Sequence, residues 1–271
     1  MQQVGRIWLF LGPNGTGKTA CALGVGDEDP SDKVDLFEWD TGSYRRASSA
    51  LKHPDRVTVH RFRTPLTNIE DFTMGNITVG PNGAAPTPAY KLTGWQEVYG
   101  NFLKAYLKAI KGDGRPVIDT ATRLWLAVRQ SFLEQLQEAT GNENARLDQL
   151  RYTEPNARMT QIAEAPERFG KDLILVAHED TVFGTSQIKA DGFKELPNMA
   201  DIVVRFTLQD GKPVGTIWKL AEGGIELLNR QVEWPTLKKL SDLLDASVKV
   251  KKMGMSVPDT NEELLALAAG L

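Results

Sequence analysis

A glycine-rich segment directly after a short apolar run is the feature that most constrains this fold. The segment, residues 12–19, reads GPNGTGKT, and the run before it, residues 7–11, reads IWLFL. The pattern G-x-x-x-x-G-K-[ST] lets the backbone turn its N–H groups inward around a polyphosphate, because glycine has no Cβ to clash. The positive end of the following helix dipole faces the same phosphates. The sequence therefore predicts a phosphate-binding P-loop between a buried strand and a helix.

The residues of the predicted P-loop have distinct roles toward a bound nucleotide. We expect the Lys18 ammonium to bridge the β- and γ-phosphates of ATP, and the Thr19 hydroxyl to ligate Mg²⁺. A chance match usually lacks the strand before the loop and the helix after it, and both are predicted here. The predicted nucleotide contacts are Gly12, Pro13, Asn14, Gly15, Thr16, Gly17, Lys18, Thr19 and Ala20.

Composition restricts the class of protein. The chain has 271 residues, of which 41% are hydrophobic, enough for the core of one large domain. Its net charge of −3 excludes a surface coated in positive charge, so any contact with nucleic acid must come from a local patch. The single cysteine, Cys21, excludes a disulfide framework, and no apolar run reaches the roughly 18 to 20 residues of a membrane span. We expect a cytoplasmic protein that contacts no membrane.

The order of patterns predicts an α/β fold. Apolar runs at 34–39, 56–60, 116–118 and 173–177 read as strands, and helical spacing covers 95–110 and 124–138. Runs at 202–207 and 214–218 flank Asp210-Gly211, which is typical of a hairpin turn. We therefore expect a mostly parallel P-loop sheet flanked by helices, with a C-terminal β-hairpin and a helical tail.

Composition also suggests how the chain is divided. Residues 1–233 are predicted to form the ATPase domain, with a loop-rich insertion at 62–92 that is rich in Thr, Pro, Gly and Asn. Residues 234–271 are predicted to form a tail. Its pattern indicates an amphipathic helix that ends at Leu244, a solvated basic stretch at 249–252 and a terminal helix over 264–271. The tail either docks on the domain or binds a partner.

Polar residues follow several of the predicted strands. In open parallel sheets ligands bind outside the carboxyl ends of the strands, so Asp40, Asp119 and His178 are expected to meet the P-loop there. Asp119 fits a Walker B carboxylate that holds Mg²⁺ together with Thr19. The alternative is that Asp119 caps the helix that follows.

The carboxylate that activates water distinguishes subclasses of P-loop ATPase. AAA+ motors usually carry a glutamate directly after the Walker B aspartate, where this chain has Thr120. RecA-type ATPases place that carboxylate at the end of the strand after the P-loop helix, which here reads Glu38-Trp39-Asp40. We favour Asp40 because it lies nearer the strand end, with Glu38 as the alternative. A solvated acidic turn is the non-catalytic interpretation.

These motifs together resemble the RecA-like P-loop ATPases encoded by phages, a family that includes single-strand-annealing and recombination proteins. The resemblance rests on residues 12–19, Asp40, VIDT at 117–120, LVAHE at 175–179 and MADIVVR at 199–205. It implies Mg²⁺-dependent ATP hydrolysis on single-stranded DNA, beside a single-strand-binding protein. His178 takes the place of the polar sensor of the γ-phosphate. Asp40 departs from the family, whose best-known recombinases have glutamate there.

The segment from Glu179 to Ala200 is predicted to contact single-stranded DNA. Aromatic rings stack on bases and lysines follow phosphates, which makes Phe183, Lys189, Phe193 and Lys194 the candidate DNA-binding residues. The alternative is a surface loop with its phenylalanines packed inward and its lysines solvated. A second basic aromatic cluster lies at residues 44–46.

The resemblance also predicts a homo-oligomer, a ring or a filament in which one subunit completes its neighbour's ATP site with a cation. The candidate cations are Arg123, Arg129, Lys189, Lys194 and Arg205. Two further functions stay open: a small-molecule or nucleotide kinase, and a nucleotide-dependent assembly switch that hydrolyses ATP slowly. The arginines between 120 and 170 are scattered in sequence, which disfavours a kinase lid.

Overall fold

The structure is a computed structural model. It describes residues 5–65, 92–143, 145–148, 150–182, 185, 187–221 and 224–271. Most of the predicted insertion at 62–92 therefore lies outside the described residues. Within them, no helix combines the length and the apolar character needed to cross a bilayer.

A mixed sheet forms the centre of the molecule. Its strands are β1 (Ile7–Leu11), β2 (Val34–Glu38), β3 (Val57–Arg61), β4 (Arg115–Asp119), β5 (Leu173–Ala177), β8 (Ile202–Gln209), β9 (Lys212–Leu220) and β10 (Gln231–Glu233). Their order across the sheet is β10-β9-β8-β1-β5-β4-β2-β3. Each neighbouring pair from β8 through β1, β5, β4 and β2 to β3 is parallel. The pairs β8–β9 and β9–β10 are antiparallel. The predicted fold class, an α/β fold with a mostly parallel sheet flanked by helices and a C-terminal hairpin, is confirmed.

Helices cover both faces of this sheet. They are α1 (Lys18–Ala22), α2 (Ser43–Ser48), α3 (Trp95–Lys111), α4 (Ala121–Thr140), α5 (Thr153–Glu164), α6 (Leu196–Met199), α7 (Leu237–Lys252) and α8 (Asn261–Gly270). Thr120, Thr236 and Thr260 precede α4, α7 and α8, and each side chain accepts a backbone N–H of the first turn. These caps satisfy donors that the helices leave unpaired, and so fix where the helices begin.

The central strand β1 joins two apolar cores. Its residues are all buried and alternate in direction, so that Leu9 packs with α3, α4 and α5, while Trp8 and Phe10 pack with α1, α7 and α8. The strand is apolar throughout because both of its faces are covered.

The tail differs from its prediction. Helix α7 does not end at Leu244 but continues to Lys252, so the basic stretch is its last turn and not a solvated linker. Val250 within this stretch is fully buried, and it packs in the same core as Leu264 of α8. Lysines in the last turn also interact favourably with the negative end of the helix dipole. The tail helices thus form part of the core.

We predict that Leu240→Ala lowers the free energy of unfolding by about 2 to 5 kcal/mol, because it leaves a cavity in this core. The Leu240 side chain is 1% exposed, whereas Met253, just beyond α7, is 61% exposed. Met253→Ala is the control and should change stability by less than about 0.5 kcal/mol. Urea denaturation of both variants measures the difference, and equal midpoints would show that α7 is not part of the core.

Candidate active site

The parallel strands end together at one edge of the sheet. Leu11 of β1 pairs with Ala177 of β5, and Asp119 of β4 lies beside both Val176 of β5 and Glu38 of β2. The residues that follow these strand ends are therefore neighbours in space, although they are far apart in sequence. The structure brings the P-loop, Asp40, Asp119 and His178 together, as the sequence predicts, around a cavity of about 260 Å³.

The P-loop conformation depends on its glycines. Gly15 and Gly17 have φ angles of 78° and 91°, in the left-handed region that favours glycine. At Gly12 a Cβ atom would collide with the carbonyl oxygen of Phe206 on the neighbouring strand β8. Side chains at these positions would therefore distort the loop or push it away from the sheet.

Lys18 crosses the inside of the loop. Its Nζ donates hydrogen bonds to the carbonyl oxygens of Gly12 at 2.7 Å and Pro13 at 2.6 Å. Burial lowers the pKa of Lys18 to about 8, although the carboxylates of Asp119, Glu179 and Asp40 oppose this effect. A bound polyphosphate would favour the charged ammonium, since it brings opposite charge close to a poorly solvated cation.

Thr19 and Asp119 form a direct contact between the P-loop and β4. The Thr19 hydroxyl donates to Asp119 Oδ2 at 2.7 Å, and Asp119 is only 2% exposed. Burial raises the pKa of this carboxyl, although the Thr19 hydrogen bond works against the shift. Asp119 does not cap α4, because the Thr120 side chain accepts the Arg123 backbone N–H. The capping alternative for Asp119 is therefore wrong.

The oxygen donors of Thr19 and Asp119 suit Mg²⁺. This ion is commonly held by one or two protein oxygens, with waters and substrate phosphates completing its shell. The described residues contain no cluster of three or more His, Cys, Asp or Glu side chains that could enclose a metal ion. The donor set thus fits an ion that arrives with a nucleotide.

Asp40 lies at the same cavity and is held by two side chains. His178 Nε2 lies 3.0 Å from Asp40 Oδ2, and Arg123 Nε lies 3.5 Å from Asp40 Oδ1. The His178 hydrogen bond is the main reason that the pKa of Asp40 is lowered, with Arg123 adding to it against the effect of burial. Asp40 is therefore an ionised carboxylate beside Lys18 and Asp119, as a group that orients water must be.

The structure does not support Glu38 as the catalytic alternative. Glu38 is 1% exposed, and it does not line the cavity. Its oxygens accept from the Tyr44 backbone N–H at 2.9 Å, from Arg61 Nε at 3.0 Å and from Arg63 Nη2 at 3.4 Å. Burial would raise the pKa of Glu38, but these donors hold it below its usual value. Glu38 instead connects β2 to the start of α2 and to the end of β3.

The predicted DNA-binding residues separate into different environments. Phe193 is 2% exposed and packs against Trp125 of α4, with ring centroids 5.0 Å apart and the rings tilted by 36°, so its assignment to base stacking is corrected. Phe183 lies outside the described residues. Lys189 and Lys194 are exposed, and Lys189 lies on the ribbon of β6 (Glu179–Thr181) and β7 (Ile188–Ala190), 3.4 Å from Asp180.

Most of the candidate intersubunit cations have partners within the chain. Arg205 makes a bidentate pair with Glu179 at 2.9 and 3.1 Å, and Arg129 lies over the Tyr152 ring. Arg123 pairs with Asp40 of its own site. These contacts leave the exposed Lys194 as the candidate without a described partner.

Sequence reasoning missed two residues at this edge, Trp39 and Arg63. Together with Arg46 and Arg123 they line a second cavity of about 650 Å³ that adjoins the first. The only sequence signal was the arginine pair at residues 61 and 63, at the end of β3, and its role depends on β3 lying beside β2.

We predict that Glu38→Gln lowers the free energy of unfolding by about 2 kcal/mol, because charge-assisted hydrogen bonds from two arginines are weakened. Nucleotide affinity should stay within about twofold of wild type, since Glu38 is not at the cavity. Glu97→Gln, which changes an exposed carboxylate on α3, is the stability control. Chemical denaturation and nucleotide titration give both quantities, and wild-type stability in Glu38→Gln would contradict the structural role.

Comparison with known proteins places the chain among P-loop proteins. A family model described as an AAA domain matches residues 5–224, well over half of the chain. No curated protein matches the sequence. Among solved structures, the chain is similar to the crystal structure of the RadB recombinase, with 14% identity over 85% of this chain and 87% of that chain, and a TM-score of 0.48.

Proposed function

The chain belongs to the AAA domain family, and from this premise we propose that it is a Mg²⁺-dependent ATPase of the RecA-like type that acts on single-stranded DNA in recombination or annealing. One observation carries the ATPase part: the Thr19 hydroxyl of the P-loop contacts the Asp119 carboxylate at 2.7 Å. A Walker A hydroxyl and a Walker B carboxylate that meet in this way provide the protein oxygens of a Mg²⁺-nucleotide site.

In the proposed reaction, each residue either neutralises charge on the phosphates or positions a reacting group. The P-loop N–H groups hold the β-phosphate, and Lys18 exchanges its carbonyl partners for phosphate oxygens. Thr19 and Asp119 would hold Mg²⁺, which neutralises charge that develops on the phosphates. Asp40 orients the attacking water, because it is ionised and lines the cavity together with the P-loop residues Asn14 and Gly15.

His178 is proposed to link the state of the nucleotide to the segment after β5. Its ring contacts Asp40. Its backbone carbonyl oxygen accepts from the Asp191 N–H at 2.9 Å, and its backbone N–H donates to Thr122 Oγ1 at 3.2 Å. Thr122 in turn donates to the Asp191 carbonyl oxygen at 3.0 Å. A shift of His178 toward the γ-phosphate would therefore act on the ribbon that carries Lys189.

The DNA part of the proposal rests on the family resemblance and on the two exposed lysines of this segment. Its partners would be single-stranded DNA and a single-strand-binding protein.

We also propose that ATP and Mg²⁺ drive assembly into a ring or filament, and that single-stranded DNA increases this assembly. A chain that stays monomeric in light scattering under every combination would contradict assembly. If single-stranded DNA does not change the rate of ATP turnover, the two other functions, a kinase or a slow assembly switch, are favoured.

Lys18→Ala should abolish ATP hydrolysis and weaken ATP binding, because Lys18 is the ammonium inside the P-loop. Lys33→Ala, which removes an exposed lysine, is the matched control. Steady-state turnover and calorimetric ATP titration measure the two effects. Turnover at the wild-type rate in Lys18→Ala would remove the basis for the proposed ATPase.

Asp40→Asn should keep ATP bound within about threefold of the wild-type affinity but reduce hydrolysis at least about 100-fold, since an amide is a poor base. Asp210→Asn provides the same chemical change at the β8–β9 turn, where asparagine suits the positive φ of 51°. Single-turnover hydrolysis separates binding from chemistry. Normal hydrolysis in Asp40→Asn would show that another group orients the water.

The combined change of Lys189 and Lys194 to alanine should flatten the slope of log affinity for single-stranded DNA against log salt by about 1 to 2 units. Changing Lys104 and Lys108, exposed on α3, removes the same charge from a distant surface. Fluorescence anisotropy with labelled oligo(dT) at several salt concentrations gives the slopes. Equal slopes for the two double variants would exclude these lysines as phosphate contacts.

A further inference from the structure

We propose that a second phosphate group binds beside the γ-phosphate position, in the cavity lined by Trp39, Arg46, Arg63 and Arg123, which we call the arginine cavity. The phosphate belongs either to a nucleic-acid strand or to a free phosphate compound. The inference extends the proposed function, since it assigns a second ligand to the same edge of the sheet.

The arginine cavity opens onto the nucleotide cavity. Both are lined by Asn14 and Gly15 at the tip of the P-loop, and by Asp40 and His178. The arginine cavity has a volume of about 650 Å³, which is within the range of small-molecule sites and exceeds one phosphate group. The cavity therefore has room for a ligand the size of a nucleotide unit.

Positive charge exceeds negative charge around this cavity. Arg61 and Arg63 share the Glu38 carboxylate, and Arg123 pairs with Asp40. Arg46 lines both cavities, and its guanidinium has no ion pair or hydrogen-bond partner among the described residues. Of the described residues that line the cavity, three carry a guanidinium group, Arg46, Arg63 and Arg123, and one carries a carboxylate, Asp40, so a dianionic ligand would balance the remaining charge.

An unpaired donor adds an independent indication of a ligand. Trp39 lines the cavity and is 8% exposed, yet its indole N–H has no hydrogen-bond partner among the described residues. A buried donor without an acceptor is costly. Its ring packs against Phe62 and Phe102, with centroids at 5.0 and 5.5 Å, at the edge of the cavity. We infer that a phosphate oxygen supplies this acceptor once the indole shifts toward the cavity, because its nitrogen is covered in the structure.

Phosphate suits these donors better than a single carboxylate does. Arginine forks bind phosphate in a bidentate manner, and a phosphate has enough oxygens to accept from Arg63, Arg123 and the indole at once. Arg123 lies only 3.5 Å from the Asp40 carboxylate. A phosphate that draws Arg123 away frees an oxygen of Asp40 for water, so the second ligand would promote hydrolysis.

Arg61 and Arg63 provide a matched pair for the test. Both contact Glu38 Oε2 and both are about half exposed, at 58% and 44%, but only Arg63 lines the cavity. Arg61→Gln and Arg63→Gln should therefore lower thermal stability by similar amounts. Trp39→Phe removes the indole N–H and keeps an aromatic ring against Phe62.

The experiment uses the full chain saturated with Mg²⁺ and a non-hydrolysable ATP analogue, so that the P-loop is filled. Fluorescent oligo(dT) is titrated in one arm by anisotropy, and inorganic phosphate and thymidine monophosphate in the other by calorimetry. Arg63→Gln should weaken binding about tenfold, and Trp39→Phe about threefold or more, while Arg61→Gln stays within about twofold of wild type.

The two arms identify the source of the phosphate. Arg63-dependent binding of oligo(dT) alone assigns a strand, and Arg63-dependent binding of the free compounds assigns a small phosphate ligand. Equal effects of Arg61→Gln and Arg63→Gln in both arms, or no binding in either, overturn the inference. Failure of the proposed ATPase is separate, because it appears as absent binding of the ATP analogue and absent turnover in the wild-type chain.

Discussion

The parallel pairing of β1, β5, β4 and β2 is the constraint on which the rest of this site depends. In this register the strands end at one edge, so that residues about 100 positions apart, Thr19 and Asp119, form a hydrogen bond. The same edge brings His178 to Asp40. No local motif could make these contacts, since each joins the ends of different strands. The chemistry of the site thus follows from strand order.

The strand order is in turn stabilised by burial on both faces of β1. Aromatic side chains of β2 and α3 fill one core, and the tail helices α7 and α8 help to fill the other. The P-loop also depends on its neighbour β8, since Gly12 lies against Phe206 without space for a side chain. The nucleotide site is therefore supported by elements from the whole length of the described chain, including the tail.

The sequence predicted those features that depend on short segments. The P-loop, the apolar strands β1 and β5 and the Asp210-Gly211 turn follow from local pattern, and each lies where expected. Features that depend on packing between distant segments were missed or misassigned. The sequence does not show whether the apolar side chain of Phe193 packs on a base or on Trp125. It also does not show which partners surround Glu38 and Asp40, and these partners distinguish their roles. The place of Arg63 beside Glu38 and the arginine cavity could not be predicted, because it depends on β3 lying next to β2.

The most direct test of this account is a double-mutant cycle on the affinity for Mg²⁺-ATP, measured by calorimetry with Thr19→Val, Asp119→Asn and the combined variant. If the two side chains hold one Mg²⁺ ion, either change alone should remove most of the Mg²⁺-dependent affinity. The double variant should then lose little more, which gives a coupling energy of about 1 to 3 kcal/mol. Losses that add to within about 0.5 kcal/mol would show that Thr19 and Asp119 act independently, and would contradict a shared Mg²⁺-nucleotide site.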